Sequence, residues 1–525
     1  MSPSIESPQI LSLNDLKITL PQDVYNHLAT QYSALDETNN NSSSSNRTSS
    51  HVNKILESMK TSPADTCCRV NLIQSSVEEI VDELKKHMST IIDSQNHDYT
   101  VQCHTTLRDL VIIRSNTVMD DAMVSYYHCS IPPNPNNTNN LFPNWPNRIS
   151  KGWPMSHRAV IVDRFCGEAV LRGANVFVRG ILSADAGIRA DEEIALYADL
   201  PGPNSKSIPR GLLLEGYAGT CVFLGIGRSH CKRSEYFART TGLGVTVMRT
   251  AGPSSQPSLN SILDGKMMLQ NLPSVCVAHA LDPQPGEAIL DMCCAPGGKT
   301  THVASLMKNE GLIVACDKSR KKMVVARDFF RSMGASCIVP LALDSTKSLL
   351  EVEEGGGGES WKSPQNVIDS ASDGAKDDGL LDAKGFYANS FDRILLDPPC
   401  SALGLRPKLL VDTQSPKQLS KFAEYQRRFV RNAVPLLRPG GTLTYSTCTI
   451  NACENEDMVK FILSEFPSMN LEPISADLPG LPGLAGRGLS DEECRMIRRF
   501  DPCAEGDTMG FFLAKFTKSQ IDSES

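Results

Sequence analysis

"GEAILDMCCAPGGKTTHVASLM", residues 286–307, runs from an apolar strand through a glycine-containing turn into a helix. Asp291 ends the strand. Pro296, Gly297 and Gly298 let the backbone turn sharply and come close to a ligand, as a bare helix N-terminus does. The turn is not the phosphate loop G-x-x-x-x-G-K-[ST], whose first glycine is missing, nor the dinucleotide loop G-x-G-x-x-G. Outward from it the rhythm repeats. "GLIVACDKSRKKMVVARDFFRSMG" (311–334) is a second strand and helix, and "IVPLALDST" (338–346), "FDRILLDPPC" (391–400) and "GGTLTYSTCT" (440–449) are further strands. Alternating strands and helices predict an α/β domain of the doubly wound, Rossmann-like type, with ligands outside the carboxyl ends of its strands.

The acids sharpen this expectation. Asp317 closes the second strand about 20 residues after Gly297, where such a fold places the carboxylate that accepts ribose hydroxyls. Asp344 closes the third, within reach of an adenine edge. Acids at three successive strand ends suit a nucleoside without phosphates. S-adenosylmethionine fits them better than NAD or ATP.

The whole chain has 525 residues, too many for one hydrophobic core. Its composition, 40% hydrophobic and 21% charged, is ordinary for a soluble globular protein. The start lacks a basic and apolar signal pattern, and no apolar run reaches a membrane span, so an intracellular protein is expected, cytoplasmic with entry to the nucleus possible. Seventeen cysteines are scattered without paired C-x-x-C spacing, which favours reduced thiols and no structural metal site. The net charge is −8, but residues 351–382 alone hold nine acids and two bases. Residues 158–250 hold twelve bases and nine acids, so charge does not exclude a nucleic-acid partner.

Three regions are expected. Residues 1–154 read as an α+β N-terminal region with polar tracts, "ETNNNSSSSNRTSS" (37–50) and "IPPNPNNTNNLFPNWPN" (131–147), taken as loops or linkers. Between them "RVNLIQSSVEEIVDELKKHM" reads as a strand and an amphipathic helix. Residues 155–250 change to short β-type runs separated by glycines, the texture of a small barrel. The stretch "CGEAVLRGANVFVRGIL" there resembles the PUA domain of RNA-modifying enzymes. Residues 251–525 hold the doubly wound domain, and the acidic, glycine-rich tract at about 351–382 reads as a disordered excursion from it.

"DMCCAPGGKTTH", "LLDPPCSALG" and "TYSTCTINACENE", taken together over roughly residues 255–520, resemble the Nol/Nop/Sun family of RNA cytosine-C5 methyltransferases. A PUA-like segment upstream resembles the arrangement of that family's tRNA-acting branch. The resemblance implies that Cys293, Cys294, Ala295, Pro296, Gly297, Gly298, Lys299, Asp317, Asp344 and Asp397 surround S-adenosylmethionine and the target base. Cys294 stands where the family often has alanine, and Cys453 adds a thiol near the site.

The chemistry asks for two thiols. C5 of cytosine is a poor nucleophile; a thiolate adding at C6 makes an enamine that can take the methyl group, and a base must then remove the C5 proton. The residues alone leave open which cysteine does which. The resemblance makes Cys448 the nucleophile and Cys400 the residue that assists release. Asp397 is expected to hydrogen-bond the base, and Lys299 to contact it or to lower the pKa of Cys448. Arg172, Arg179, Arg189, Arg210, Lys232, Arg233 and Arg239 are candidates for holding the RNA, with "LRGANVFVRGI" as part of the face. In the family such a domain grips the 3′-terminal CCA of tRNA. The partners expected are thus RNA, tRNA foremost, with no membrane and no metal, and the protein itself is expected to be a monomer. Two other readings stay open: an N-methyltransferase of the Asp-Pro-Pro-aromatic type, disfavoured by Cys400, and a catalytically silent RNA-binding or assembly factor of the same fold.

Overall fold

The computed structural model describes residues 8–40, 50–95, 98–116, 157–202, 207–251, 257–259, 262–351, 363–372, 380–381, 383–412, 415–504 and 506–520. The tract 131–147 therefore lies outside the described residues, as do 41–49 of the earlier one.

The glycine turn sits in a mixed eight-stranded sheet. Its strands are β1 (Ala288–Asp291), β2 (Leu312–Asp317), β3 (Ile338–Ala342), β4 (Phe391–Leu396), β5 (Leu437–Thr447), β6 (Met469–Glu472), β7 (Arg498–Phe500) and β8 (Phe511–Lys518). The order is β3-β2-β1-β4-β5-β8-β6, with β7 paired to β8. β1 to β5 run parallel, while β8 is antiparallel to β5, β6 and β7. Successive residues of the inner strands point to opposite faces, and both faces are apolar, as expected of strands covered on both sides. Ile289, Ile313 and Leu395 join one core with Val303 and Phe330; Leu290, Val314, Ile394 and Leu396 join the other with Phe429, Val430 and Val459. The helices supplying those partners are α1 (Gly298–Leu306), α2 (Arg320–Ser332), α3 (Pro416–Leu436) and α4 (Glu456–Glu465). Strand order reverses between β1 and β4, so the ligand crevice opens at the carboxyl ends of those two strands.

Residues Arg158–Val162, Ile181–Ala184, Glu193–Asp199, Thr220–Ser229 and Leu243–Thr250 form most of a second eight-stranded sheet around a single apolar core. No helix among the described residues is long and apolar enough to cross a membrane.

The structure corrects three expectations. The N-terminal region is shared out among the other units. Gln9–Leu11 pairs in parallel with Thr220–Val222 of the second sheet. Helices Gln22–Gln31 and His51–Ser58, with the C-cap Tyr32, bury Leu28, Tyr32, Val52 and Ile55 against Leu403, Leu419, Ile450 and Ala452 of the doubly wound domain. A third, four-stranded sheet joins Asp65–Val70, Tyr99–Cys103 and Leu110–Ser115 to Met267–Leu269, which the sequence placed with the doubly wound domain. Three-residue strands carry too little periodicity to reveal a distant partner. Residues 37–40 continue a helix, Ser33–Asn40, rather than a loop. The acidic tract holds a helix, Pro364–Ser372, whose Ile368 is buried in the second face's core. Composition averaged over the tract hid this short apolar anchor.

Candidate active site

β4 stops at Leu396, and Asp397-Pro398-Pro399-Cys400 leaves it as a stiff segment, because proline supplies no donor to continue the ladder. β5 ends at Thr447, so Cys448 follows immediately on the neighbouring strand. Adjacent parallel strands ending together bring the thiols to one place: Cys400 Sγ and Cys448 Sγ are 3.3 Å apart. The two shift oppositely. The hydrogen bond from the Cys400 thiol lowers the pKa of Cys448, with help from the Lys299 charge, against burial and Asp397. The same contact, then burial, raises Cys400 well above an ordinary thiol. The shifts favour the charged form at Cys448 over Cys400.

A clasp behind the thiols fixes their spacing. Ser401 and Thr449, the residues following each cysteine, share a hydrogen bond of 2.7 Å between hydroxyls. The fully buried Glu454 accepts from Ser401 N at 3.0 Å and Ser401 Oγ at 2.5 Å. It also accepts from Gln426 Nε2 at 2.8 Å and Asn451 Nδ2 at 2.9 Å. Burial raises its pKa, and these donors pull it back. Gln31, on the N-terminal helix, donates to Asn451 Oδ1 at 3.0 Å and accepts from Ala452 N at 2.9 Å. The first residues of the chain thus buttress the catalytic turn.

Lys299 lies in the first turn of α1, and its Nζ is 2.6 Å from Asp397 Oδ2. Ser446 Oγ donates to Asp397 Oδ1 at 2.8 Å. Burial would lower the Lys299 pKa; Asp397 more than offsets it and the net shift is upward. The phenyl ring of Phe511 lies under the ammonium at 5.5 Å. Asp291 is held behind this pair by Thr300 Oγ1 at 2.7 Å and Cys293 N at 3.2 Å, and burial pushes it up to about 7.

A cleft of about 600 Å³ runs from the thiols along the strand ends, within the range of small-molecule sites. Cys293, Ala295, Asp317, Asp344, Asp397, Cys400 and Cys448 line it. Asp317 Oδ1 accepts from Ser319 N at 2.7 Å, and its Oδ2 has no hydrogen-bond partner among the described residues. Asp344 accepts from Thr346 N and Oγ1 and faces Lys318 Nζ at 3.3 Å; despite burial these contacts lower its pKa. Apolar Met292, Leu343, Tyr425 and Phe429 complete the walls. A carboxylate with a free oxygen, a second acid at the next strand end and flat apolar walls fit a nucleoside such as S-adenosylmethionine.

Two of the expected cofactor residues act from behind. Cys294 is buried with its thiol 3.4 Å from Met323 Sδ. Gly297 caps α1 with φ +114°, and a Cβ there would lie 2.4 Å from Phe330 Cε1. That glycine serves backbone conformation and helix packing. Pro296, Gly298 and Lys299 line a smaller pocket of about 210 Å³ that shares Cys293, Ala295 and Asp397 with the cleft. The sequence reading missed Ser446, Glu454, Gln426, Tyr425 and Phe429. Tyr425 and Phe429 carried a signal, two aromatics four apart on one helix; Glu454 stood in a quoted motif without an assigned role.

The expected RNA contacts divide. Arg172, Arg179, Arg189, Lys232 and Arg239 are exposed. Arg210 donates to the carbonyls of Val178, Tyr236, Phe237 and Arg239, and Arg233 to those of Ala184, Gly211 and Leu212. The two guanidinium groups lie over Phe237 at 5.4 and 4.8 Å. Both tie the PUA segment together through these carbonyls, with Arg210 exposed and Arg233 half-buried, so structure alone accounts for their placement.

Residues 278–354 and 364–517 match the 16S rRNA methyltransferase RsmB/F family, and residues 158–249 match the PUA domain. The tRNA (cytosine(72)-C(5))-methyltransferase NSUN6 of Mus musculus is 38% identical over 385 residues, covering 69% of this chain and 74% of that protein. The rRNA (cytosine-C(5))-methyltransferase NOP2C of Arabidopsis thaliana is 32% identical over 555 positions, covering 90% of this chain and 88% of that one. The structure of NSun6 from Pyrococcus horikoshii with SFG, an S-adenosylmethionine analogue, superposes with a TM-score of 0.60 at 25% identity, covering 94% of this chain and 98% of that chain. With the paired thiols, the strand-end acids and these likenesses together, the chain belongs to the RsmB/F (Sun) family of S-adenosylmethionine-dependent RNA cytosine-C5 methyltransferases and carries a PUA domain.

Proposed function

We propose that this enzyme methylates a cytosine near the 3′ acceptor end of tRNA through a covalent bond from Cys448 to C6 of the base. The observation that carries the mechanism is the thiol pair, 3.3 Å apart and shifted in opposite directions. Cys448, the thiol of the pair whose pKa is lowered, adds to C6 as its thiolate. The Lys299–Asp397 pair hydrogen-bonds the polar edge of the pyrimidine and offsets the negative charge that addition creates. Bound S-adenosylmethionine supplies the electrophilic methyl group. Once the S–C bond forms, Cys448 no longer accepts the Cys400 proton; Cys400 releases it to solvent and as thiolate removes the proton from C5. The electrons of that C–H bond restore the double bond, and Cys448 leaves. The target base must leave its stack to reach the thiols, at a cost of a few kcal/mol, least at a weak stem end.

The tRNA reading rests on the relatives of that name and on the PUA segment, where exposed Arg179 neighbours Phe177, which is 57% exposed. The plant relative, aligned over most of both chains, carries an rRNA name and makes rRNA the second reading. Labelled cofactor with total tRNA and with ribosomal RNA in separate reactions decides between them: label at cytosine C5 in tRNA is expected, and label in rRNA alone replaces the first reading. Saturable binding without label would make the chain a silent RNA-binding factor. Cys448→Ala is expected to abolish methylation and adduct, a loss of at least about 10³-fold. Cys400→Ala is expected to accumulate a protein–RNA species stable to denaturing gels; an adduct in Cys448→Ala and none in Cys400→Ala would reverse the roles.

A further inference from the structure

Beside the catalytic cleft lies a second pocket, of about 200 Å³, that the chemistry above does not use. It touches the cleft directly, since Ala402 lines both. Its walls come from Met59 at the end of helix His51–Ser58, Lys408 and Asp412 on the segment after Cys400, and Gln418 and Phe422 on α3. Phe422 is on the same helical stripe as Tyr425 and Phe429, which wall the cofactor cleft. One helix therefore lays aromatic side chains along both cavities.

The segment carrying this pocket is also the bridge to the PUA domain. Leu409 N donates to Glu168 Oε1 at 3.0 Å, and Arg164 NH1 is 2.8 Å from Asp412 Oδ1. The Arg164 guanidinium lies 4.3 Å over the ring of Phe165, which is 63% exposed. Asp412 is thus answered by Arg164, whereas Lys408 has no ion pair among the described residues, leaving the pocket with an uncompensated cation. An aromatic wall, an amide side chain and a lone lysine, with an exposed phenylalanine beside the Arg164 that holds Asp412, are the parts of a single-strand nucleotide site: stacking faces, a base-edge partner and a phosphate contact.

The substrate supplies the occupant. A polynucleotide with one base drawn to Cys448 must place the adjoining nucleotide within one backbone repeat of it. We infer that the seam pocket receives the nucleotide next to the target base, on the side of the strand that leads to the PUA domain. Its base lies against Phe422 or Phe165 and its phosphate near Lys408. This rests on the reading of the chain as an RNA methyltransferase and adds the subsite that would set its sequence preference.

A double-mutant cycle tests it on full-length enzyme. RNA substrates are made with the base deleted at either neighbour of the target cytosine, and KM and kcat are measured for wild type, Phe422→Ala, Phe165→Ala and Lys408→Ala. Deleting the correct neighbouring base should raise the wild-type KM about 10-fold, as loss of one base–aromatic stack does. The same deletion should cost the enzyme lacking the partner aromatic little more, with kcat kept at saturating RNA. Lys408→Ala should lower the salt slope of binding by somewhat under one unit. Phe165 is exposed, so its variant stays informative should Phe422→Ala be unstable. Multiplying losses at both neighbours, or no loss from either deletion, overturns the subsite while leaving the enzyme reading intact. Absence of methylation of any RNA by wild type overturns both.

Discussion

The catalytic crevice and the PUA segment both carry the charged side chains that sequence points to, yet they hold them in different ways. In the crevice Asp291, Asp317 and Asp397 end, or directly follow, parallel strands whose register is fixed by neighbours on both sides. Their directions follow from the sheet. In the PUA segment the cations sit on turns and caps, and a long guanidinium can reach inward to a carbonyl as readily as outward to solvent. Arg210 and Arg233 reach back to carbonyls of their own domain; Arg179 makes no such bond among the described residues. Spacing therefore names a side chain's function well where the backbone dictates its aim, and poorly where four or five rotatable bonds decide it.

The largest expected effect that sharpens this contrast is at Glu454. If the clasp on Ser401, Gln426 and Asn451 sets the distance between the thiols, Glu454→Gln keeps the shape but replaces one acceptor oxygen with a donor facing other donors. Turnover should fall about 10²-fold, the scale of a slight misplacement of reacting groups. KM for S-adenosylmethionine should hold, and covalent adduct should form slowly. A variant with normal kcat would show that the strand ends alone position the two sulfurs.

Lys299 comes next, through pH. The thiolate of Cys448 is the reactive form, and its pKa lies below the ordinary thiol value, so activity extends to lower pH than an unperturbed thiol would allow and is lost as pH falls through the lowered pKa. Lys299→Met removes a charge that lowers that pKa and should move the acidic limb of kcat/KM towards higher pH. An unmoved limb would assign the thiolate's stability to the Cys400 hydrogen bond alone.

Much of this was legible beforehand, for a physical reason. The acids, the Pro-Pro stop and both cysteines lie where an apolar run ends, a transition that a sequence displays openly. What was not legible depends on long-range partners: Gln31 reaching Asn451, a three-residue strand from residues 267–269 completing an N-terminal sheet, Ile368 anchoring an acidic tract. None leaves a local periodicity.

Arg210→Ala should destabilise the PUA domain by about 1–3 kcal/mol, since it strips donors from four carbonyls at once, and should lower RNA binding only through unfolding. Thermal denaturation reads the first effect. Unchanged melting with weakened RNA binding would return this arginine to the RNA face.

The smallest expected effect is at Arg179, and it is the sharpest probe of the contrast. Its side chain is exposed and makes no hydrogen bond or ion pair with the described residues, so Arg179→Ala should leave melting within about 0.5 kcal/mol of wild type. If it contacts a phosphate, the affinity for RNA falls modestly at low salt, the loss vanishes as salt rises, and the slope of log affinity against log salt drops by nearly one unit. A base contact would instead leave a loss that persists at high salt and depends on RNA sequence. The two cations thus make opposite predictions from one composition: Arg210 moves stability and not the salt slope, and Arg179 moves the salt slope and not stability. If both moved the same quantity, the inward and outward geometry of their side chains would carry no functional meaning, and the division drawn between the two regions would fail at its clearest point.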